Sequence, residues 1–400
     1  MRIKTIMTAC LAVPALSVLC LLSSCSSEEL TEKPSTGPQT LTLNLKPAGT
    51  RAAVYSDPGT KAENTINSVT IGIFGSDNNV KTIQDAADPS NPSITTSQLE
   101  KDDKVLVAVN ATSGTFAGAK TVTDFENKTL AIDDALAAKN GSATTATTVA
   151  NTKLPMFGVG TIAPKSGSTT EFEANVDVYH MVAKITLNSL TVNFSATGAY
   201  PAAKFTPTEV FMSNVPDALD FYPATDMSSY STFAKYSNLC QGESNNATNF
   251  KEYLGTTTTL TGFEAKNTTL SGISGAATSS WGTPDTKILF LYTMPNNATT
   301  PTRLVIKGTF NADGKDTNPP TVYYPVNINY NSADGSAANL SGGGKAGTVK
   351  QVYPNKNYII DVTIQSKGSK HPTDAIDPET ATATITVKDF TPATQSNVFN

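Results

Sequence analysis

The sequence is short of the residues that most chemistry needs. It has two histidines in 400 residues, His180 and His371, and one tryptophan, Trp281. A Ser-His-Asp site needs a histidine beside a nucleophile, and nothing in the sequence marks either one for that role. Three-histidine and His/Cys metal sites are excluded by count, so no metal and no cofactor is expected. Four cysteines occur, and Cys10, Cys20 and Cys25 lie in the first 25 residues. The remainder owns Cys240 alone, which excludes an internal disulfide there and reads as a small buried side chain. Charged residues make up 16% and the formal net charge is −5. No basic face is present to hold nucleic acid. Arginine is nearly absent, at Arg2, Arg51 and Arg303.

Phosphate and calcium loops fare no better. Gly342-Gly343-Gly344-Lys345 is followed by Ala346 where a phosphate loop needs Ser or Thr, and it lacks the glycine five positions before Gly344. Asn311-Ala-Asp313-Gly314-Lys-Asp316 has oxygen ligands at alternate places but no closing glutamate, so it reads as a hairpin turn. Adjacent acidic pairs, Asp102-Asp103 and Asp133-Asp134, give no sign of two carboxylates across a cleft. No catalytic residue is assigned and an enzyme is not expected. Trp281, Tyr323, Tyr324 and Tyr353 would suit sugar binding if exposed, and packing roles otherwise.

What the sequence does hold is a leader, a linker and many strands. Arg2 and Lys4 precede an apolar run through Leu22, as in a secretory signal over residues 1–24. Leu22-Ser23-Ser24-Cys25 resembles a lipobox, so Cys25 is the expected lipidation site. A palmitoyl-type multi-chain anchor would hold the precursor to a membrane, at about 0.8 kcal/mol per buried CH₂. The stretch from Glu28 to Gln39 reads as a solvated linker.

Strand signals then follow one another. Leu41, Leu43 and Leu45 alternate with polar residues. Ile66–Phe74, Lys104–Asn110, Thr286–Pro295, Arg303–Phe310, Thr321–Tyr330, Tyr358–Gln365 and Ala381–Phe390 are rich in β-branched and aromatic residues. Glu171–Phe194 is too long for one ordinary strand, and a domain boundary is expected within or just after its middle. Ser97-Gln98-Leu99-Glu100 fits a capping box and predicts a short helix. Thr129–Gly141 predicts a longer one. The expected fold class is all-β: two β-sandwich domains, residues 52–185 and 186–400, with short helices in loops.

Arg51 follows the Leu41–Leu45 alternation by six residues. A strand bordered by a scarce trypsin-type bond suggests a removable part of the fold. A sandwich missing one strand has an apolar groove and an open edge. Leu41, Leu43 and Leu45 would fill that groove in the precursor, and cutting Arg51-Ala52 would sever their connection. The C-terminal strand, with Ala383, Ile385 and Val387 on one face, is available to fill the groove of a neighbour, as in donor-strand complementation. Such head-to-tail contact does not close, so it builds a filament. On spacing alone, a permanent first strand with Arg51 as an ordinary loop residue explains the pattern equally well.

The chain resembles the fimbrillins of Bacteroidetes, the major and minor fimbrial subunits of type V pili. The resemblance rests on the Cys25 lipobox and the leucine-bearing prosegment ending Thr50-Arg51-Ala52. It rests also on Val178-Tyr-His-Met-Val-Ala-Lys184, Tyr323-Tyr-Pro-Val326, Val352-Tyr-Pro-Asn-Lys-Asn-Tyr358 and Val387-Lys-Asp-Phe390. It departs where the family often has tryptophan, here Phe390, and arginine, here His180. The resemblance implies transthyretin-like sandwich domains and a lipidated propeptide, residues 25–51. It implies cleavage at Arg51-Ala52 by an arginine-specific surface protease, and a donor strand over residues 381–400, including Ala383, Ile385, Val387 and Phe390. The implied partners are other copies of the chain and accessory fimbrial subunits, with adhesion to a host or bacterial surface. The implied location is the outer membrane before processing and an extracellular fimbrium after it. A usable Arg51 favours a polymerising shaft subunit over an anchor, and a tip subunit stays open. A monomeric surface lipoprotein that binds glycans is the alternative.

Overall fold

The computed structural model describes residues 37–47, 63–136, 153–221, 237–243, 248–255, 268–271, 289–296, 300–328, 338–340, 352–374 and 381–389. Cys25, Arg51, Ala52, Trp281 and Phe390 lie outside them.

Among the described residues, nine strands occupy the first half: β1 (Gln39–Pro47), β2 (Val69–Phe74), β3 (Val80–Asp85), β4 (Ser93–Thr96), β5 (Lys104–Val109), β6 (Thr129–Ala131), β7 (Met156–Thr161), β8 (Ala163–Pro164) and β9 (Glu171–His180). All but β6 join one sheet, in the order β3-β2-β5-β7-β9-β1-β4, with β8 on the end of β9. The two outermost strands of this order approach each other, and Gln84 Nε2 of β3 donates to the Thr95 carbonyl of β4 at 3.4 Å. The sheet therefore curls around an interior. Its lining is apolar because every second residue of each strand points inward. Ile71, Ile73, Val105, Val107, Val109, Met156, Val176 and Val178 fill it, together with Leu41 and Leu43 of β1 and Ile94 of β4.

The outer face of β2 and β5 is buried as well. Phe74, Leu106 and Ala108 belong to a second core with Phe116, Phe125 and residues of the later strands. Phe116 stacks on Phe125 at 3.8 Å between ring centroids, and Phe74 meets Phe125 edge-on. Burial on both faces explains why these strands read as unbroken apolar runs. Phe125 is carried by helix α1 (Val122–Glu126), which is held by a reciprocal cap between Thr121 and Asp124.

Met181-Val182 breaks the long segment into β9 and β10 (Ala183–Val192), as its length required. From here the chain builds other sheets. These use β11 (Lys204–Pro216), β12 (Ala218–Asp220), β13 (Leu239–Gln241), β14 (Thr268–Ser271), β15 (Leu289–Thr293), β16 (Arg303–Asn311), β17 (Thr321–Asn327), β18 (Ala338–Leu340), β19 (Lys356–Ile364) and β20 (Ala381–Asp389). One sheet has the order β14-β10-β19-β20-β18, with β15 also on β10; another runs β13-β11-β16-β17. Ile185 and Leu187 of the first and Met212, Leu304, Ile306 and Tyr324 of the second share one core. β6 pairs with β12 across the halves, in the register Leu130 with Leu219. The fold is all-β with short helices in its loops, as expected.

Two local expectations are corrected. Residues Ser97–Glu100 form no helix. Gln98 has φ +79°, which no right-handed helix allows, and Leu99 N–H is engaged by Gln39. Within Thr129–Gly141, residues 129–131 are strand β6, and helix α2 covers only Ile132–Leu136 among the described residues. Pairing with β12 overrides helix propensity there. The Asn311–Asp316 segment is a turn, with Gly314 at φ +72° and the Asn311 and Asp313 side chains accepting from the loop's own N–H groups.

Candidate functional site

The first strand is inserted rather than appended. β1 lies between β9 and β4 and closes the curled sheet. It runs parallel to β9 from Thr40 opposite Glu171 to Pro47 opposite Val178, and antiparallel to β4 from Gln39 opposite Thr96 to Thr42 opposite Ser93. Pro47 ends the strand, where its missing N–H costs no ladder bond. β4 has no strand partner other than β1 among the described residues. Taking β1 out would leave β9 with an open edge and β4 without its ladder.

Leu41 is fully buried and Leu43 is 3% exposed, both facing the interior, while Leu45 is half-buried at its rim. Fully burying such a side chain contributes roughly 1.5–3 kcal/mol. Thr40, Thr42 and Asn44 alternate to the outer side, where Asn44 Nδ2 donates to Asn175 Oδ1 at 3.2 Å. Gln39 shares the inner face with the leucines and is 2% exposed. Its carboxamide accepts from Leu99 N–H at 2.6 Å and donates to the Leu99 carbonyl at 3.4 Å. The sequence reading placed Gln39 at the end of a linker. The same period of two that marks the leucines extends to it, and that signal would have found it.

The expected donor strand occupies a place in its own molecule. β20 pairs with β19 over nine positions, with Ala383 opposite Val362, Ile385 opposite Ile360 and Val387 opposite Tyr358. On its other side it pairs with β18, Ile385 opposite Ala338. The structure thus puts Leu41, Leu43 and Leu45 together in one slot and Ala383, Ile385 and Val387 in a different sheet.

A buried polar cluster missed in the sequence sits where the chain re-enters after β1. Glu63 and Lys184 are each 1% exposed and form an ion pair at 3.0 Å. The Tyr292 hydroxyl donates to the same carboxylate, and the Lys184 ammonium lies 4.1 Å from the Phe290 ring centroid. The His180 ring nitrogens contact the Glu63 carbonyl and Asn355 Oδ1, each at 3.2 Å. Burial holds the His180 pKa below its usual value, against the pull of these hydrogen bonds. The histidine is therefore a buried structural group whose charged form is disfavoured by burial. No periodicity signals such a cluster, because its members come from residues 63, 180, 184, 292 and 355.

The other residues singled out for chemistry are also used structurally. Burial pushes the Cys240 thiol up to about 11, which leaves it protonated and inert. Tyr324 and Tyr353 are buried, and the Tyr323 hydroxyl donates to Glu243 at 2.7 Å. His371 is exposed in a loop. Among the described residues no group of three His, Cys, Asp or Glu is placed to hold a metal ion.

Neither a family model nor a curated protein matches the chain in sequence. Solved structures match it in fold. A protein ascribed to cell adhesion from Bacteroides eggerthii superposes with a TM-score of 0.58 at 19% identity, covering 89% of this chain and 98% of that one. A second one so ascribed, from Parabacteroides distasonis, gives 0.54 at 17%, with 88% and 100% covered. A fimbrilin from Porphyromonas gingivalis W83 gives 0.56 at 13%, with 89% and 98% covered. The chain has a fimbrillin-type fold.

Proposed function

We propose that this chain is the precursor of a non-enzymatic pilin subunit, which polymerises into surface fimbriae by exchanging β1 for the C-terminal segment of another copy. The observation that carries the reading is the place of β1. It completes the interior of the curled sheet, yet it joins the rest of the chain only through residues 48–62, which contain Arg51. Cleavage of Arg51-Ala52 would cut that connection outside every described element. The slot then opens between β9 and β4, lined by Ile94, Val176 and Val178, and an open slot with an unpaired edge favours capture of a strand. The donor is the segment Ala381–Asn400, which carries Ala383, Ile385, Val387 and Phe390. Repetition of the contact is head-to-tail and yields a filament.

The same reading takes residues 1–24 as a signal peptide, 25–51 as a propeptide lipidated at Cys25, and 52–185 and 186–400 as the two domains of the mature subunit. The precursor is held at the outer membrane by its lipid, an arginine-specific protease cuts it there, and the product joins an extracellular fimbrium that serves adhesion. The fimbrillin-type fold supports this assignment. The test compares cells making the wild-type chain with cells making Arg51→Ala. Electron microscopy should show filaments on the first and none on the second. Filaments of Arg51→Ala, or purified protein that yields no oligomer ladder after arginine-specific cleavage, would sink the proposal.

A further inference from the structure

We propose that the main-chain N–H and C=O of Leu99 form a subsite that selects a carboxamide in the strand that fills the slot; the inference rests on the reading that β1 is exchanged. Gln39 meets both groups with one side chain, its oxygen on the N–H and its nitrogen on the C=O. A carboxamide offers an acceptor and a donor together. A carboxylate only accepts, and an alkyl or thioether chain of the same length answers neither group well. Leu99 is 2% exposed, so a strand without the amide leaves a buried N–H and C=O open.

The subsite is built from the side away from β1, and so it outlasts the strand. Gln98 at φ +79° turns the chain so that both Leu99 groups face the slot. Lys81 Nζ of β3 holds the loop by donating to Gln98 O at 2.9 Å and Glu100 Oε2 at 2.8 Å, and it also bonds Asp103. Asp103 accepts from Glu100 N–H at 2.8 Å. Asp102 N–H donates to Ile162 O, and Ile162 N–H to Asp103 O, both at 2.9 Å. None of these bonds involves β1.

The entering segment must then supply its own amide. Ala383, Ile385 and Val387 are preceded at the matching place by Ala381, which has none. The one glutamine in Ala381–Asn400 is Gln395. Seating Gln395 where Gln39 sits puts Phe399 at the place of Leu43 and Asn400 at the place of Asn44, which faces Asn175. Asn397 falls at the fully buried place of Leu41, so this register buries a second amide on the inner face and rests on Gln395 there and on Asn400 at the outer face. In that register Gln395–Asn400 of a second copy is the part of the Ala381–Asn400 donor that reaches the subsite.

The experiment removes the prosegment with an arginine-specific protease and titrates the product with synthetic peptides of residues 37–47. The wild-type peptide should bind about tenfold more tightly than its Gln39→Met or Gln39→Glu analogue. Equal binding by the Gln39→Met peptide overturns the subsite. If cleavage releases no prosegment, the exchange reading fails while the subsite stays testable. It is then read in the uncut Gln39→Met precursor, where the Leu99 amide should exchange its hydrogen at least about tenfold faster than in the wild type. An unchanged rate overturns it. In the full chain, Gln395→Met should slow assembly after cleavage by about the same factor, and undiminished assembly overturns the role of Gln395.

Discussion

Glu63 and Lys184 are ionic residues placed where water does not reach. Two charges at 1% exposure are costly to desolvate, and their 3.0 Å contact, the Tyr292 hydroxyl and the Phe290 ring offset that cost. Removing one partner alone strands the other. Glu63→Gln or Lys184→Met should lower the unfolding free energy by about 3–5 kcal/mol in denaturant titration. The double variant should cost less than the sum of the two, since no bare charge remains. Additive losses would show that the pair does not act as a unit. Lys184 was legible in the sequence as part of a strand, but its partner was not. Glu63 is 121 positions away along the chain, and only folding makes them neighbours.

At the scale of one element, β1 is held by a short apolar face, two ladders and an end clamp at Gln39. Its residues contribute unequally. Leu43→Ala in the uncut precursor should cost about 2–5 kcal/mol, because it leaves a cavity inside the curled sheet. Leu45→Ala, at the half-buried rim, should cost less than half as much. The same two variants should become indistinguishable from wild type in thermal unfolding once the prosegment has been cut and removed. A difference that persisted would mean that β1 stays bound after cleavage. The strand itself was legible from Leu41, Leu43 and Leu45, because the side-chain period of two is a local property. Its neighbours were not. A parallel ladder to Glu171–Val178 and an antiparallel one to Ser93–Thr96 leave no mark on the nine residues of β1. The misread helices have the same cause. Thr129–Ala131 carries good helix formers after it, and pairing with Ala218–Asp220 decides the outcome instead.

Across the whole molecule, β6 with β12 and the Glu63 cluster bind the early and late parts of the chain together. His180 belongs to that junction, and its lowered pKa sets a pH dependence. The unfolded chain takes up a proton on this histidine below pH about 6.5, whereas the folded chain takes it up only at lower pH. Stability from this group is therefore full above that pH and falls as pH drops, by at most about 1.4 kcal/mol per pH unit. Carboxyls whose pKa is raised by desolvation, the buried Asp103 and the half-buried Glu126 and Glu209, act in the opposite direction at lower pH. The melting temperature of wild type should thus fall between pH 7 and 6, and that of His180→Gln should fall less steeply. Parallel slopes in the two proteins would remove His180 from the account.

The sequence by itself determined that the chain is all-β, that its histidines and cysteines are few, and that a leucine-faced strand precedes a scarce arginine. These follow from composition and from periodicities of a few residues, which any segment expresses alone. Tertiary structure decided where that strand goes, that Gln39 reads the backbone of Leu99, and that Glu63, His180 and Lys184 share one buried site. Those are contacts between residues from about 60 to more than 100 positions apart, and they exist only after the sheet has curled and excluded water.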